Sequence, residues 1–273
     1  MNRIIMLGTG DALVTRCYNT CFVLETDKGR LLVDAGGGNG ILVQMEKAGI
    51  NIASIHDMFI THAHTDHILG AIWVIRQVMR GMRHGKYEGE FHLYAHDKVL
   101  EIISYLSAQT MKAEDEAFVG NGIYFCELHD GDEFHAAGMR LQCFDIQSTK
   151  EKQYGFSAIL CDGQKLVCLG DEPYHAVNLP SIEHADWLLH EAFCLYSEKD
   201  KYKPYEKSHS TALDASKNAA ELGVKNLVLY HTKDNSLATR KQTYTEEAAK
   251  YFQGRIFVPD DLEVINLSDS SSL

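Results

Sequence analysis

Apolar positions along this chain come in short blocks separated by polar turns. Residues 4–7, 20–24, 31–33, 58–61 and 91–94 read as strands, each a brief apolar run bounded by turn-forming residues. Gly8-Thr9-Gly10-Asp11 follows the first, and Thr26-Asp27-Lys28-Gly29 separates the second from the third. Residues 34–40 (DAGGGNG) form a loop. Residues 41–48 predict a helix stopped by Gly49. Residues 68–79 carry helical apolar spacing with Gly81 beyond them, and residues 98–109 predict a third helix. The second half repeats the style. Residues 139–146, 187–189 and 226–230 read as strands. Residues 157–161 and 165–169 form a hairpin around Asp162-Gly163, a pair favoured in type I′ turns. Residues 211–222 predict a helix with Ser210 or Thr211 at its N-cap, Ala212, Ala215, Ala219 and Leu222 on its apolar face, and Gly223 as its stop. Strands and helices in both halves predict an α/β (α+β) chain of two sheets with helices outside. No linker or repeat interrupts it, so residues 1–273 are read as one domain, with 268–273 (SDSSSL) as a frayed tail.

Composition narrows the function. The chain has 273 residues, with 45% hydrophobic and 23% charged, which is the balance of a globular protein. Its 26 Lys and Arg against 38 Asp and Glu give a net charge of −12. That excludes a uniformly basic nucleic-acid footprint while leaving room for a local basic patch. No apolar run reaches membrane-spanning length, so no membrane partner is expected. The start, MNRIIMLGTG, lacks an extended apolar signal region, which makes the cytoplasm the expected compartment. The 7 cysteines include no Cys-x-x-Cys pair and are expected as reduced thiols.

The strongest chemical signal is Thr61-His62-Ala63-His64-Thr65-Asp66-His67, directly after an apolar strand. Imidazole and carboxylate at this density suit zinc, manganese or iron. His62 and His64 can converge on one ion from an irregular loop, with Asp66 and His67 facing a second. A positional signal agrees. Asp34, Asp171, His190-Glu191 and His231 each follow a short apolar strand, and ligands gather beyond strand ends in α/β sheets. Competing motifs fail. Gly8-x-Gly10 lacks the third glycine of a dinucleotide fingerprint, His190-Glu191 is not H-E-x-x-H, and no G-x-S-x-G occurs. Lys150 and Lys152 are read as a solvated loop, and His190 as structural.

The blocks LGTGDA, LLVDAG, FITHAHTDH, CLGDE, LLHEAF, SHST and LVLYHT resemble the metallo-β-lactamase superfamily, on its ribonuclease Z-like branch, over most of the chain. The resemblance implies a four-layer αβ/βα sandwich, two mixed sheets flanked by helices, with a metal site at the sheet edges. It implies that His62 and His64 bind metal one, Asp66 and His67 metal two, that Asp171 bridges, and that His231 completes metal two. Asp34 is implied to be a structural carboxylate. The family's further imidazole on metal one aligns with Gln147 or Ser148. Gln147 is then a weak, hard ligand, and metal one is expected to be loosely held. Two zinc ions per chain are expected, with manganese or iron as alternatives. The His-Glu-Ala and His-Ser-Thr loops imply Glu191 and His209 as a dyad that stabilises phosphate or protonates the leaving group, and Asp66 as the group that orients the nucleophile. The branch's long basic arm, which binds transfer RNA, is not evident. The expectation is therefore a metal-dependent hydrolase of a small phosphodiester or phosphorylated metabolite, with a ribonuclease Z-type endonuclease as the alternative. A metal- or ligand-binding protein that has lost hydrolysis is the alternative of another class. The branch also implies a homodimer.

Overall fold

The structure, a computed structural model, describes residues 2–268. Of the tail expected at 268–273, residues 269–273 lie outside the described residues. The first sheet contains β1 (Arg3–Gly8), β2 (Cys21–Thr26), β3 (Gly29–Val33), β4 (Asp57–Phe59), β5 (Phe91–Ala95) and β6 (Ile123–Glu127) in chain order. The second contains β7 (Glu133–Ala136), β8 (Met139–Asp145), β9 (Tyr154–Ile159), β10 (Lys165–Cys168), β11 (Trp187–Glu191), β12 (Asn226–Tyr230) and β13 (Arg255–Phe257). A last strand, β14 (Val264–Asn266), returns to the first sheet and pairs with β1. The helices are α1 (Gly40–Lys47), α2 (Thr65–Arg83), α3 (Asp97–Thr110), α4 (Ala113–Glu116), α5 (Leu179–Ile182), α6 (Lys199–Tyr202), α7 (Ala212–Glu221) and α8 (Leu237–Ala248).

The strand orders mirror each other: β14-β1-β2-β3-β4-β5-β6 and β13-β12-β11-β10-β9-β8-β7. Each sheet is antiparallel on one side and parallel on the other, with the switch at β3 in the first and at β10 in the second. Side chains alternate across each strand. Ile4 and Met6 face the other sheet, while Ile5 and Leu7 face helices. The core between the sheets contains Phe22, Phe59, Phe156, Trp187 and Tyr230. A second core lies under α1, α2 and α3, and a third, with Ala212, Ala215, Ala219 and Tyr244, under α7 and α8. These are the four layers the resemblance implied. Strands covered on both faces read as unbroken apolar runs, which is why β1, β2 and β12 were plain in the sequence.

Two local expectations are corrected. Helix α2 begins at Thr65, not at residue 68, with His64 in extended conformation as its N-cap. Asp66 therefore sits in the first turn, where the helix dipole favours a carboxylate. The hairpin between β9 and β10 is not type I′, because only Gly163 has positive φ (+86°). Gly163 N–H donates to Leu160 O (2.9 Å), a turn closed by a left-handed glycine, and the Asp162 carboxylate accepts from the Gln164 amide N–H (3.2 Å). Among the described residues no helix is long and apolar enough to cross a membrane.

Candidate active site

The functional side chains collect where the parallel strands of both sheets end. From the first sheet, β3 runs into Asp34 and β4 into Thr61 and the His-rich segment. From the second, β10 runs into Asp171, β11 ends on His190 and Glu191, and β12 runs into His231. Asp34 and His231 both take left-handed backbone (φ +54° and +56°), each at a cost on the order of 1 kcal/mol, where the chain turns out of its strand. The sheets are stitched together at this edge. Tyr154 N–H donates to Thr61 O (3.0 Å), and His62 forms a β-bridge with Gln153.

Asp34 organises the first-sheet side. Its carboxylate accepts from Thr61 N–H (2.8 Å) and Thr61 Oγ1 (2.9 Å), and lies 2.8 Å from His67 Nδ1. A carboxylate there accepts a hydrogen bond from Nδ1–H and leaves Nε2 facing inward. The close seating depends on Gly70. A Cβ at that position would lie 1.9 Å from Ala35 O, and Gly70 N–H instead donates to Gly36 O (2.9 Å). On the opposite side, Thr20 Oγ1 donates to Gly10 O (3.0 Å), so its oxygen accepts from His231 Nδ1 (3.2 Å). That leaves His231 Nε2 facing Asp171 Oδ2 at 3.6 Å.

The result is three interlocked donor groups: His62–His64–Asp171, Asp66–His67–His231 and Asp171–His209–His231. Within each, the ligand atoms lie within 4.8 Å of one another. Bonds of about 2.1 Å to a divalent ion would close that spacing by modest side-chain rotation. Electrostatics fit a cation. Burial opposes ionisation of Asp171, yet His62, His231, Lys150 and His67 hold its carboxyl well below the usual range. Burial also opposes a charged Asp66, and His67 outweighs it in the same direction. Burial pushes the His62 imidazole well down and His231 down to about 3. Burial works against a proton on His67, but Asp66 and Asp34 outweigh it and hold that ring well above its ordinary value. His67 Nε2 is buried with no hydrogen-bond partner, 3.3 Å from Asp66 Oδ2 and 4.0 Å from Asp171 Oδ2. An orphaned nitrogen beside two carboxylates is what a metal ligand looks like before it has its ion.

Glu191 and His209 meet as a pair. Glu191 is fully buried at the end of β11 and accepts from the N–H groups of Phe193 (3.2 Å) and Ser210. Its Oε2 lies 3.6 Å from His209 Nδ1. Glu191 thus anchors the loop that carries His209. The His209 ring stacks on Phe193 (4.5 Å between centroids, 4° between planes) and lies 5.4 Å from the ring of His231. His190 points elsewhere, with Nδ1 2.7 Å from Glu191 O and Nε2 3.2 Å from Asn218 Nδ2.

Gln147 is not brought into this cluster, contrary to the expectation. It is exposed, in left-handed backbone (φ +65°), and its N–H donates to Asp145 Oδ1 (2.8 Å) in a tight turn that carries the chain outward. The amide that reaches the cluster is Gln153, whose Nε2 lies 2.9 Å from His62 Nδ1 and 2.5 Å from Asp171 Oδ1. No local pattern announced it. The one available signal was its place just ahead of β9, level with the His62 strand end. Lys150 also departs from its reading as solvated. Its ammonium lies 3.0 Å from the fully buried Glu172 and 3.8 Å from Asp171 Oδ2.

Comparison with known proteins agrees with this architecture. The chain is 24% identical over 322 aligned positions to the ribonuclease Z of Thermococcus sibiricus, covering 100% of this chain and 99% of the relative. It is 27% identical over 299 positions to that of Thermobifida fusca, covering 95% and 92%. Its fold matches the metallo-β-lactamase fold protein YhfI from Bacillus subtilis with a TM-score of 0.78 at 17% identity, over 97% of this chain and 98% of that one. The fold is thus that of the metallo-β-lactamase superfamily, and a family profile fits residues 2–252: the chain belongs to the family described as Anti-Pycsar protein Apyc1.

Proposed function

We propose that this chain is a metal-dependent hydrolase of a small phosphodiester, linear or cyclic, or of a related phosphorylated metabolite. The observation that carries the reading is the set of donor groups sharing Asp171 at the sheet edges, with the orphaned His67 Nε2 among them. His62, His64 and Asp171 would hold one ion, and Asp66, His67, His231 and Asp171 a second. Zinc is our first choice for both, with manganese or iron as alternatives. Bound divalent ions would supply Lewis acidity toward a phosphoryl oxygen and a hydroxide nucleophile near neutral pH.

The chain's own residues do the rest. The Asp66 carboxylate, ionised at neutral pH, accepts a hydrogen bond from the attacking water and orients it. His209, held flat against Phe193, donates a proton to the departing oxygen. Glu191 keeps the His209 loop in place through the Ser210 and Phe193 amides and stabilises positive charge on the ring.

A ribonuclease Z-type activity is the second reading, favoured by the relatives of that name. Two observations favour the smaller substrate. The alignment with the Thermococcus sibiricus relative spans 322 positions against 273 residues here, so that relative carries insertions this chain lacks. The net charge of −12 also gives a polyanion no general electrostatic support. We further read the chain as one domain that acts as a homodimer.

The test is turnover of bis-p-nitrophenyl phosphate with added zinc or manganese, compared with trimming of a 3′-extended transfer-RNA precursor at moderate salt. We expect turnover of the small ester, lost in His64→Ala, and little trimming. Efficient trimming would overturn the substrate choice. Metal uptake without turnover of any phosphodiester would mean that the protein binds and does not hydrolyse.

A further inference from the structure

We infer that Gln153 is a metal ligand: its side-chain oxygen is the fourth donor of the His62–His64–Asp171 group. The inference rests on the metal-centre reading above and assigns a residue to it. His62, His64 and Asp171 offer three donor atoms, one short of a tetrahedral shell. Gln153 is 1% exposed, and its amide nitrogen lies 2.5 Å from the Asp171 carboxylate and 2.9 Å from His62 Nδ1, on the ring whose Nε2 faces Asp171. Neighbours fix it there. Its carbonyl accepts from Ile146 N–H (3.0 Å), and its backbone bridges to His62. Gly170 (φ +63°) presents no Cβ, which would otherwise stand 3.2–3.4 Å from the Gln153 amide atoms.

Gln153 Oε1 is buried with no hydrogen-bond partner. A buried amide oxygen left unpaired costs about 1–3 kcal/mol, so such atoms normally find a donor or a cation. Rotation by 180° about the last side-chain bond exchanges the oxygen and nitrogen without moving the rest of the residue. With nitrogen inward, the amide donates to the Asp171 carboxylate. With oxygen inward, a carbonyl dipole faces the Asp171 carboxylate, an arrangement that a cation between them would stabilise. The same residue therefore fits the centre with and without its ion.

The donor types then distinguish the two halves. Gln153 contributes a neutral, hard oxygen where Asp66 contributes a charged one. The Gln153 half should fill second and more weakly.

The experiment is stepwise metal titration of the full chain, with stoichiometry by elemental analysis and the manganese signal by paramagnetic resonance. Wild type should take two ions in separate steps. Gln153→Leu should keep the first and lose at least about tenfold in affinity for the second. Gln153→His should gain about tenfold or more in zinc affinity at the second step, a gain that misfolding cannot mimic. Gln153→Leu binding both ions with wild-type affinities would overturn the assignment while leaving the metal-centre reading intact. Wild type binding no ion would overturn both.

Discussion

Removing the Asp34 carboxylate separates two roles that sit on one residue. Asp34 is 3% exposed and receives the Thr61 N–H, the Thr61 hydroxyl and the His67 ring. In Asp34→Ala the Thr61 amide and His67 Nδ1 are both buried without a partner, at about 1–3 kcal/mol each. With the broken charge pair to His67, the expected loss is about 3–5 kcal/mol, a large share of ordinary domain stability. Asp34→Asn keeps the shape and can still accept from Thr61. Its NH2 group, however, now faces His67 Nδ1 and forces the ring proton onto Nε2. That variant should lose only about 1–2 kcal/mol, yet bind metal about 10–100-fold more weakly, because the amide no longer accepts the Nδ1 proton when Nε2 takes an ion. Urea unfolding of the metal-free protein measures the first quantity, and metal titration the second. If Asp34→Asn binds metal like wild type, the tautomer argument is wrong. If Asp34→Ala costs under about 1 kcal/mol, the buried network does not hold the loop.

Three further outcomes are expected. Phe193→Ala should slow hydrolysis of an alkyl phosphodiester at least about tenfold more than that of bis-p-nitrophenyl phosphate, whose leaving group needs no proton, while Phe193→Trp should restore the ratio; equal slowing of both substrates would remove Phe193 from the positioning of His209. Glu25 meets Arg3 and Arg30 at 2.5 Å, and although burial works against its charge, these partners lower its pKa from the ordinary 4.5. Its contribution is therefore full above pH 4.5 and lost as pH falls through the lowered value, so Glu25→Gln should unfold more easily at pH 7 and converge with wild type in acid; a gap that persists at the lowest pH would refute the linkage. Stripping metal with a chelator should remove about 2.7 kcal/mol of stability for each ion held at a concentration of one hundred times its Kd, and an unchanged melting temperature would argue against a bound ion.

Different physics governs what the sequence revealed and what it hid. Strands β2 and β12 are apolar on both faces because layers cover both, so their runs stand out without any pattern analysis. The histidine motif is local, and four of its residues face the site because they lie on one loop and the first turn of α2. Helix α8 was invisible, because it buries Arg240, Tyr244, Glu247 and Ala248, with the two terminal nitrogens of Arg240 donating to Thr9, Thr232 and Pro259. A helix that packs through charged groups has no apolar stripe to read. The edge strands β7 and β14 alternate over only four and three residues, too short a run to stand out as a strand signal. Gln153 was missed for another reason. Its partner His62 lies 91 residues away, and nothing near either residue encodes a bridge between the two sheets.

The division of donors between the sheets sets a timetable for the centre. His62, His64, Asp66 and His67 come from the first sheet's side, and Asp171 and His231 from the second's. His231 is steadied by Thr20, 211 residues earlier in the chain, and the Thr9 hydroxyl is fixed by Asp261, 252 residues later. The complete set of ligands therefore cannot exist on a nascent chain until nearly all of it has been synthesised and the two halves have docked. Loop closures this long are slow. A newly made chain passes through a period in which it holds three histidines of a metal site and no bridging carboxylate, and capture of the full complement of ions marks the end of assembly.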